Sequence, residues 1–147
     1  MSPIERMWPV LSRLIKMHAV LYRATDGRVG HWLPRNPPVL LLDHVGARSG
    51  KTHTTPVGYV PDGDDLILVG SRGGHSKHPA WLYNLRANPD ATIQIRSERR
   101  AVHARVAGPE ERARLWPKAV AAYQGYEGYQ RQTEREIPII VLEPAAT

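Results

Sequence analysis

Thr54-Thr55-Pro56-Val57-Gly58-Tyr59-Val60-Pro61-Asp62-Gly63-Asp64-Asp65-Leu66-Ile67-Leu68-Val69-Gly70-Ser71 is the stretch that decides the fold. Two β-prone runs, Thr54–Val60 and Leu66–Ser71, flank the polar turn Asp62-Gly63-Asp64-Asp65, and that pattern predicts a hairpin. Upstream, Val39–Val45 is almost wholly apolar, which predicts a strand buried on both faces. Downstream, Ala91–Arg96 and Ala101–Ala107 alternate in polarity around Ser97-Glu98-Arg99-Arg100 and predict a second hairpin. Ile137–Leu142 reads as a closing strand, followed by a short tail over Glu143–Thr147.

Helices are expected around these strands. In residues 3–24 the residues Trp8, Leu11, Ile15, His18, Ala19 and Tyr22 recur at three- and four-residue steps, the mark of one helical face. Arg6, Arg13, Lys16 and Arg23 make another side of that helix basic, and Asp26-Gly27 ends it. Ala80–Ala87 follows Pro79 and stops at Asn88-Pro89-Asp90. Glu110–Tyr123 follows Pro109, with acids in its first turn, where the helix dipole favours them. Pro117 within it predicts a kink or break. Strands and helices do not alternate regularly, so a doubly wound parallel sheet is disfavoured. A closed or split antiparallel β-barrel with peripheral helices, of the α+β class, fits the order better. With 147 residues and no dividing linker, residues 1–147 are expected to form one domain, its barrel and helices spanning 39–144.

Composition narrows the function. Cys is absent, so disulfides and thiolate metal sites are excluded. The formal charge of +6 favours an anionic partner. No apolar run reaches the roughly 20 residues of a spanning helix, and Arg13, Lys16 and His18 interrupt any signal-peptide core. A cytoplasmic protein is therefore expected. The basic side of 3–24 adds a peripheral contact with the inner face of the membrane as a second expectation.

Nucleophilic, metal and nucleic-acid chemistry are each disfavoured. There is no Gly-x-Ser-x-Gly elbow. His75 and His78 straddle a loop with no carboxylate at ligand spacing. Apart from Tyr59 the strands lack the aromatics of a base-stacking platform. What remains is two basic, glycine-bearing loops beside strands: Gly46-Ala47-Arg48-Ser49-Gly50-Lys51 and Ser71-Arg72-Gly73-Gly74-His75-Ser76-Lys77. Glycine admits close backbone approach, and N–H groups with Arg and Lys favour an anion. Neither loop is a Walker A or a Gly-x-Gly-x-x-Gly motif. Tyr123, Tyr126 and Tyr129 are three apart and fit either packing or a lid over a planar substrate.

Taken in order, Gly-x-Arg-Ser-Gly, Thr-Thr-Pro-Val, Ser-x-Gly-Gly, His-Pro-Ala-Trp-x-x-Asn-Leu-x-Ala-Asn-Pro, Tyr-x-x-Tyr-x-x-Tyr-Gln-x-x-Thr-x-Arg and Ile-Pro-Ile-Ile-Val-Leu-Glu-Pro resemble the deazaflavin (coenzyme F420)-dependent nitroreductase and quinone reductase family. The resemblance runs from about Arg13 to Pro144. It implies a split β-barrel related to flavin-mononucleotide (FMN)-binding oxidoreductases. It also implies hydride transfer from reduced F420 to a quinone, a nitroaromatic or a similar acceptor. FMN or haem binding, or a non-catalytic deazaflavin carrier, are the alternatives.

By the same resemblance, Ala47, Arg48 and Ser49 belong to the cofactor phosphate loop; Lys51, a cation of the same glycine loop, is expected to help Arg48 hold the phosphate. His53, Thr54, Thr55, Pro56 and Val57 follow along the cofactor. Val69, Gly70, Ser71 and Arg72 form a second edge, and Ala80, Trp81, Leu82, Tyr83 and Asn84 a third. Tyr123, Tyr126 and Tyr129 shape the acceptor pocket, and Ser71 bonds the acceptor oxygen or relays a proton. Two positions depart from the family pattern: Ala47 stands where a basic residue is frequent, and His53 where Arg is frequent.

Overall fold

Apolar side chains on both faces of Val39–Val45 demand cover on both sides. In the computed structural model, which describes residues 2–34 and 36–145, they receive it. Leu40 and Leu42 join the barrel interior, while Val39 and Leu41 pack beneath Ala19 and Tyr22 of helix α1 (Pro3–Ala24). Six strands form the barrel: β1 (Val39–Val45), β2 (Thr52–Asp62), β3 (Asp65–Val69), β4 (Asp90–Ile95), β5 (Glu98–Val106) and β6 (Ile139–Pro144). All neighbours are antiparallel in the order β1-β2-β3-β6-β5-β4, and β4 closes onto β1. The expected hairpin-built antiparallel barrel is what the chain forms.

The hairpin β2–β3 turns through Gly63 and Asp64, with Gly63 at φ 61°, a left-handed conformation that glycine adopts without penalty. The second hairpin is tighter than expected. Its loop is Arg96-Ser97, and Glu98, Arg99 and Arg100 are already paired in β5. Those charged residues face solvent, so they join the ladder at no desolvation cost. Arg96 holds φ 54°, and its N–H donates to the buried hydroxyl of Tyr22 on α1 at 2.8 Å, which secures a turn that its residue type does not favour.

The closing strand begins two residues later than expected. Pro138 has no N–H to give a ladder; its carbonyl instead accepts from Gly70, and pairing starts at Ile139 and continues through Glu143 and Pro144. Ile140 and Leu142 point into the barrel. Ile139 and Val141 pack under helix α3 (Pro109–Ala122) with Leu115 and Trp116. Helix α3 runs uninterrupted through Pro117, where a kink or break was expected; Leu115 and Ala119 are fully buried and anchor it on either side of the proline.

Helix α2 (Ala80–Ala87) plugs one end of the barrel: Trp81, Leu82 and Leu85 belong to the same cluster as Leu40, Leu42 and Ile93. Fully burying one such aliphatic side chain is worth about 1.5–3 kcal/mol, which fixes α2 firmly enough to carry a site. The tyrosine-rich segment forms helix α4 (Gly125–Gln132). A Cβ at Gly125 would lie 2.2 Å from the Tyr123 ring, so glycine is required there for the chain to fold back.

Helix α1 spans the range expected for it. Ser2 and Glu5 form a reciprocal capping box, and Gly27, at φ 78°, ends the helix by donating to the Tyr22 carbonyl.

Candidate functional site

Helix α1 does not simply lie on the barrel. Ile4, Trp8, Leu11 and Ile15 look down onto the outer surface of β2, and between them runs an open cleft of about 810 Å³. Its floor is Thr54–Gly58. Val69, Ser71 and Arg72 close one side, Ala80, Trp81 and Asn84 another, and Tyr126 stands at the far wall. An adjoining depression of about 710 Å³ is lined by Gly46–Ser49, Ala80, Tyr83 and Asn84. His53, Ala80 and Asn84 border both spaces, so the two lie side by side. Adjoining spaces of this kind, mixed in polarity with an anion-favouring loop at one end, suit a flat ligand carrying a charged tail.

The first basic loop is a tight closure. Gly46 N–H donates to the Lys51 carbonyl and Gly50 N–H to the Gly46 carbonyl. Ser49 Oγ accepts from Lys51 N–H, and Ala47 N–H donates to Asn84 Oδ1 at 2.9 Å. The N–H groups of Arg48 and Ser49 have no protein acceptor among the described residues, and Arg48 lines the depression. Lys51, expected in the anion grip, is exposed and lines neither space.

The second loop is a 3-10 turn, Arg72–Gly74, in which Arg72, Gly73 and Gly74 all have positive φ. One guanidinium holds it. Arg135 donates to the carbonyls of Gly70, Ser71 and His75 at 2.9–3.1 Å and also meets His78 Nδ1 at 3.0 Å. His75 and His78 are thus spent on structure, and burial pushes both imidazoles below their ordinary pKa.

Ser71 lies two residues beyond the end of β3 and precedes the turn. Its side chain caps no helix, and it opens onto the cleft. Gly70 does not face the cleft; it packs against Pro138.

The tyrosines meet as a cluster. Tyr123 and Tyr126 rings are edge-on at 4.9 Å, and the Tyr123 and Tyr129 hydroxyls are bonded at 3.0 Å. Only Tyr126 reaches the cleft; the other two buttress it. Burial raises the Tyr126 phenol far above its ordinary pKa and pushes Tyr129 up to about 12, so both stay protonated at neutral pH.

The structure therefore brings together Ala47, Arg48, Ser49, His53–Val57, Val69, Ser71, Arg72, Ala80, Trp81, Tyr83, Asn84 and Tyr126. Leu82, grouped with the third edge by resemblance, is fully buried in the barrel core. Two features escaped sequence reasoning: α1 as a roof over the cleft, and His44, a buried cleft residue between Thr55 and Asn84. Burial, and then the neighbouring His53, depress its pKa to about 4. Among the described residues no three His, Asp or Glu side chains are grouped to hold a metal.

A family model described as F420H(2)-dependent quinone reductase matches residues 14–144. The chain belongs to the F420H(2)-dependent quinone reductase family. An F420H(2)-dependent quinone reductase of Mycobacterium tuberculosis is 40% identical over 133 residues, covering 88% of this chain and 89% of the relative. Another M. tuberculosis protein with that family name is 45% identical over 117 residues, covering 80% and 98%. Among solved structures, an F420-H2 dependent reductase superposes with a TM-score of 0.67 at 37% identity, over 74% of this chain and 96% of that one. A domain-swapped dimer superposes at 0.68 with 34% identity, over 97% and 100%. A haem storage protein at 14% identity, TM-score 0.51, shares the barrel fold alone. The family is one of oxidoreductases that depend on reduced F420, so F420 takes precedence over FMN as the cofactor to be accommodated.

Proposed function

We propose that this chain transfers a hydride from reduced F420, held in the cleft under α1, to a quinone seated against Tyr126. The wall that the cleft shares with the depression at the Gly46–Ser49 loop carries this reading, because one ligand reaching across His53 and Asn84 would place a flat ring on Thr54–Val57 and an anionic tail at Arg48. The residues present fit that group: a backbone floor, a cation, N–H groups without protein acceptors, and two hydroxyls at the ring end. The bound deazaflavin supplies the two-electron hydride chemistry; the chain binds, orients and excludes water. A hydride added to a quinone leaves a hydroquinone oxyanion, which needs one proton. Ser71 and Tyr126 both line the cleft, and in this reading their hydroxyls stabilise that oxygen and pass it a proton from solvent. Nitroaromatics are the second acceptor class for the same wall.

Access to a quinone extends the reading to α1. Its outer face carries Met7, Val10, Leu14, Met17 and Leu21 at alternating three- and four-residue steps, all exposed. Arg6 and Arg13 sit beside them. An apolar stripe with basic flanks suits an anionic lipid surface, where quinones dissolve. Among the described residues no helix is long and apolar enough to cross a membrane, so any such contact lies on the surface.

Two measurements test the proposal. Titration with F420 and with FMN, followed by fluorescence, should show F420 bound preferentially; binding of FMN alone overturns the cofactor assignment. Reduced F420 with menadione should then be reoxidised faster in the presence of protein. Binding without any acceleration, for quinone or nitroaromatic, leaves a carrier rather than an enzyme. For α1, co-flotation with anionic vesicles but not zwitterionic ones is expected, and Val10→Glu with Leu14→Glu should abolish it. Failure to float, with a dimer seen by light scattering, would assign the stripe to a second copy.

A further inference from the structure

A chain of three hydrogen bonds joins the anion loop to the cleft floor, and its direction can be read without ambiguity. Ala47 N–H can only donate, so the Asn84 side-chain atom 2.9 Å from it is the carbonyl oxygen. The other amide atom of Asn84 is therefore the NH2 group, a donor, and it lies 2.9 Å from His44 Nδ1. Nδ1 must then be the bare, accepting nitrogen. A neutral imidazole carries one N–H, so His44 bears it on Nε2, 2.9 Å from Thr55 Oγ1, which accepts. The hydroxyl proton of Thr55 is left to point elsewhere. Among the described residues no protein acceptor takes it, and Thr55 lines the cleft.

We infer that Asn84 and His44 are positioning residues that fix Thr55 as a hydrogen-bond donor toward the ligand. A free hydroxyl proton in the cleft floor recognises an acceptor atom, a carbonyl oxygen or a deprotonated ring nitrogen, while the one lone pair not taken by His44 can still accept. The device favours the orientation of a flat heterocycle that turns its acceptor edge to Thr55. It also ties that selection to the loop, because the Asn84 oxygen that anchors Ala47 is what orients the amide. Neutral His44 is essential to the chain. The titratable groups nearest it are the His53 ring on β2, 5.7 Å away, and Asp43, its neighbour on β1, whose carboxylate turns to the other face. Thr54, the other floor hydroxyl, is committed to Asp43 on the opposite face of β2 and offers no substitute.

The inference rests on the cofactor cleft proposed above, but its first test does not. Long-range proton–nitrogen spectra of histidine-labelled apo-protein, with the His44 signals assigned by their loss in His44→Gln, report which ring nitrogen carries the proton. The Nε2–H form is expected in the wild type. In Asn84→Asp the carboxylate keeps the bond to Ala47 but removes the donor facing Nδ1, so Nδ1 should become protonated. An Nδ1–H form in the wild type, or identical spectra in both proteins, overturns the relay.

The second arm is a titration with oxidised F420. Thr55→Val keeps shape and β-branching but removes both the free proton and the acceptor of His44 Nε2–H, and it should weaken binding by about 3- to 10-fold, the worth of one neutral hydrogen bond to the ligand. Thr55→Ser should restore binding to within about 2-fold. Equal affinity of wild type and Thr55→Val, with both folded by circular dichroism, refutes the donor role. If the wild type binds no F420 at all, the proposed function falls, and the tautomer alone decides the relay.

Discussion

The guanidinium of Arg72 lies 4.3 Å from the centre of the Trp8 ring. That contact joins the strained second loop to the first turns of α1. Trp8 also meets His75 edge-on at 5.5 Å, and Glu5 accepts from the backbone and hydroxyl of Ser76. The roof of the cleft is thus latched to one of its walls. A cation–π contact is worth about 0.5–2 kcal/mol, and Trp8 adds apolar burial to it. Trp8→Ala should loosen the N-terminal half of α1 while leaving the barrel intact. Hydrogen exchange of the Leu11–Leu14 amides should then accelerate, and F420 binding should weaken by several-fold. Unchanged exchange in that half of the helix would mean that α1 is held without Trp8, by Glu5 on Ser76 and by Ala19, Tyr22 and the Arg23–Asp43 pair.

Arg135 holds the same loop from below. Its fork reaches three carbonyls and one imidazole that no other described side chain serves. Arg135→Ala strands the carbonyls of Gly70 and His75 and leaves Ser71 with only the Gly74 N–H, and with charge-assisted bonds worth about 1.5–3 kcal/mol each the loss should be about 2–5 kcal/mol overall. Arg135→Lys should recover only part of it, because an ammonium cannot span the three carbonyls as a planar fork does. Urea unfolding of the three proteins measures this directly; a lysine variant as stable as the wild type would show that charge, not geometry, is what the loop needs.

Arg48 and Lys51 share a loop but not a role. Arg48 lines the depression beside Asn84, whereas Lys51 is exposed outside it. Arg48→Ala should therefore weaken F420 binding by about 10-fold or more, the worth of a charge-assisted contact, and should flatten the dependence of affinity on salt. Lys51→Ala should change affinity by less than about 3-fold. Fluorescence titrations at two salt concentrations separate the residues, and the opposite ranking would place the ligand's charge on the outer side of the loop.

How much of this was legible in the sequence depends on which interaction set each feature. Val39–Val45 announced a strand covered on both faces because its composition leaves no face for water. The hairpin at Gly63 was legible because a tight turn needs a residue tolerant of positive φ. Arg96-Ser97 was not, because Arg96 is held in that conformation by Tyr22, far away in sequence. For α1, periodicity located the face bearing Trp8, Leu11 and Ile15. It could not show that this face roofs a cleft, nor that Met7, Val10, Leu14 and Met17 form a second, exposed stripe. Position in a motif placed Leu82 and Lys51 at the site, yet one side chain turns into the core and the other to solvent. His44 carried no signal, since its meaning comes from Asn84 on α2.

The buried histidines predict how stability follows pH. His44 titrates at about 4 in the folded chain against 6.5 for the free side chain, chiefly because burial disfavours the charged ring. His31, His75 and His78 are shifted the same way. The unfolded chain therefore binds more protons between these limits, and unfolding free energy rises with pH across the window. The contribution of His44 is fully present above about pH 6.5 and is lost as pH falls toward 4; at 1.36 kcal/mol per unit its full span is about 3 kcal/mol. Depressed carboxylates act lower: Glu5, bonded to Ser76, titrates at about 2. Asp65, raised by burial and nearby acids, opposes the trend only near the acidic edge. Denaturant midpoints measured from pH 7.5 to 4.5 should fall steadily for the wild type. They should fall less steeply for His44→Gln, which keeps an amide in the cavity but has no proton to gain. Parallel slopes in the two proteins would show that His44 is neutral at no energetic cost, and that the acid sensitivity lies in the other three histidines.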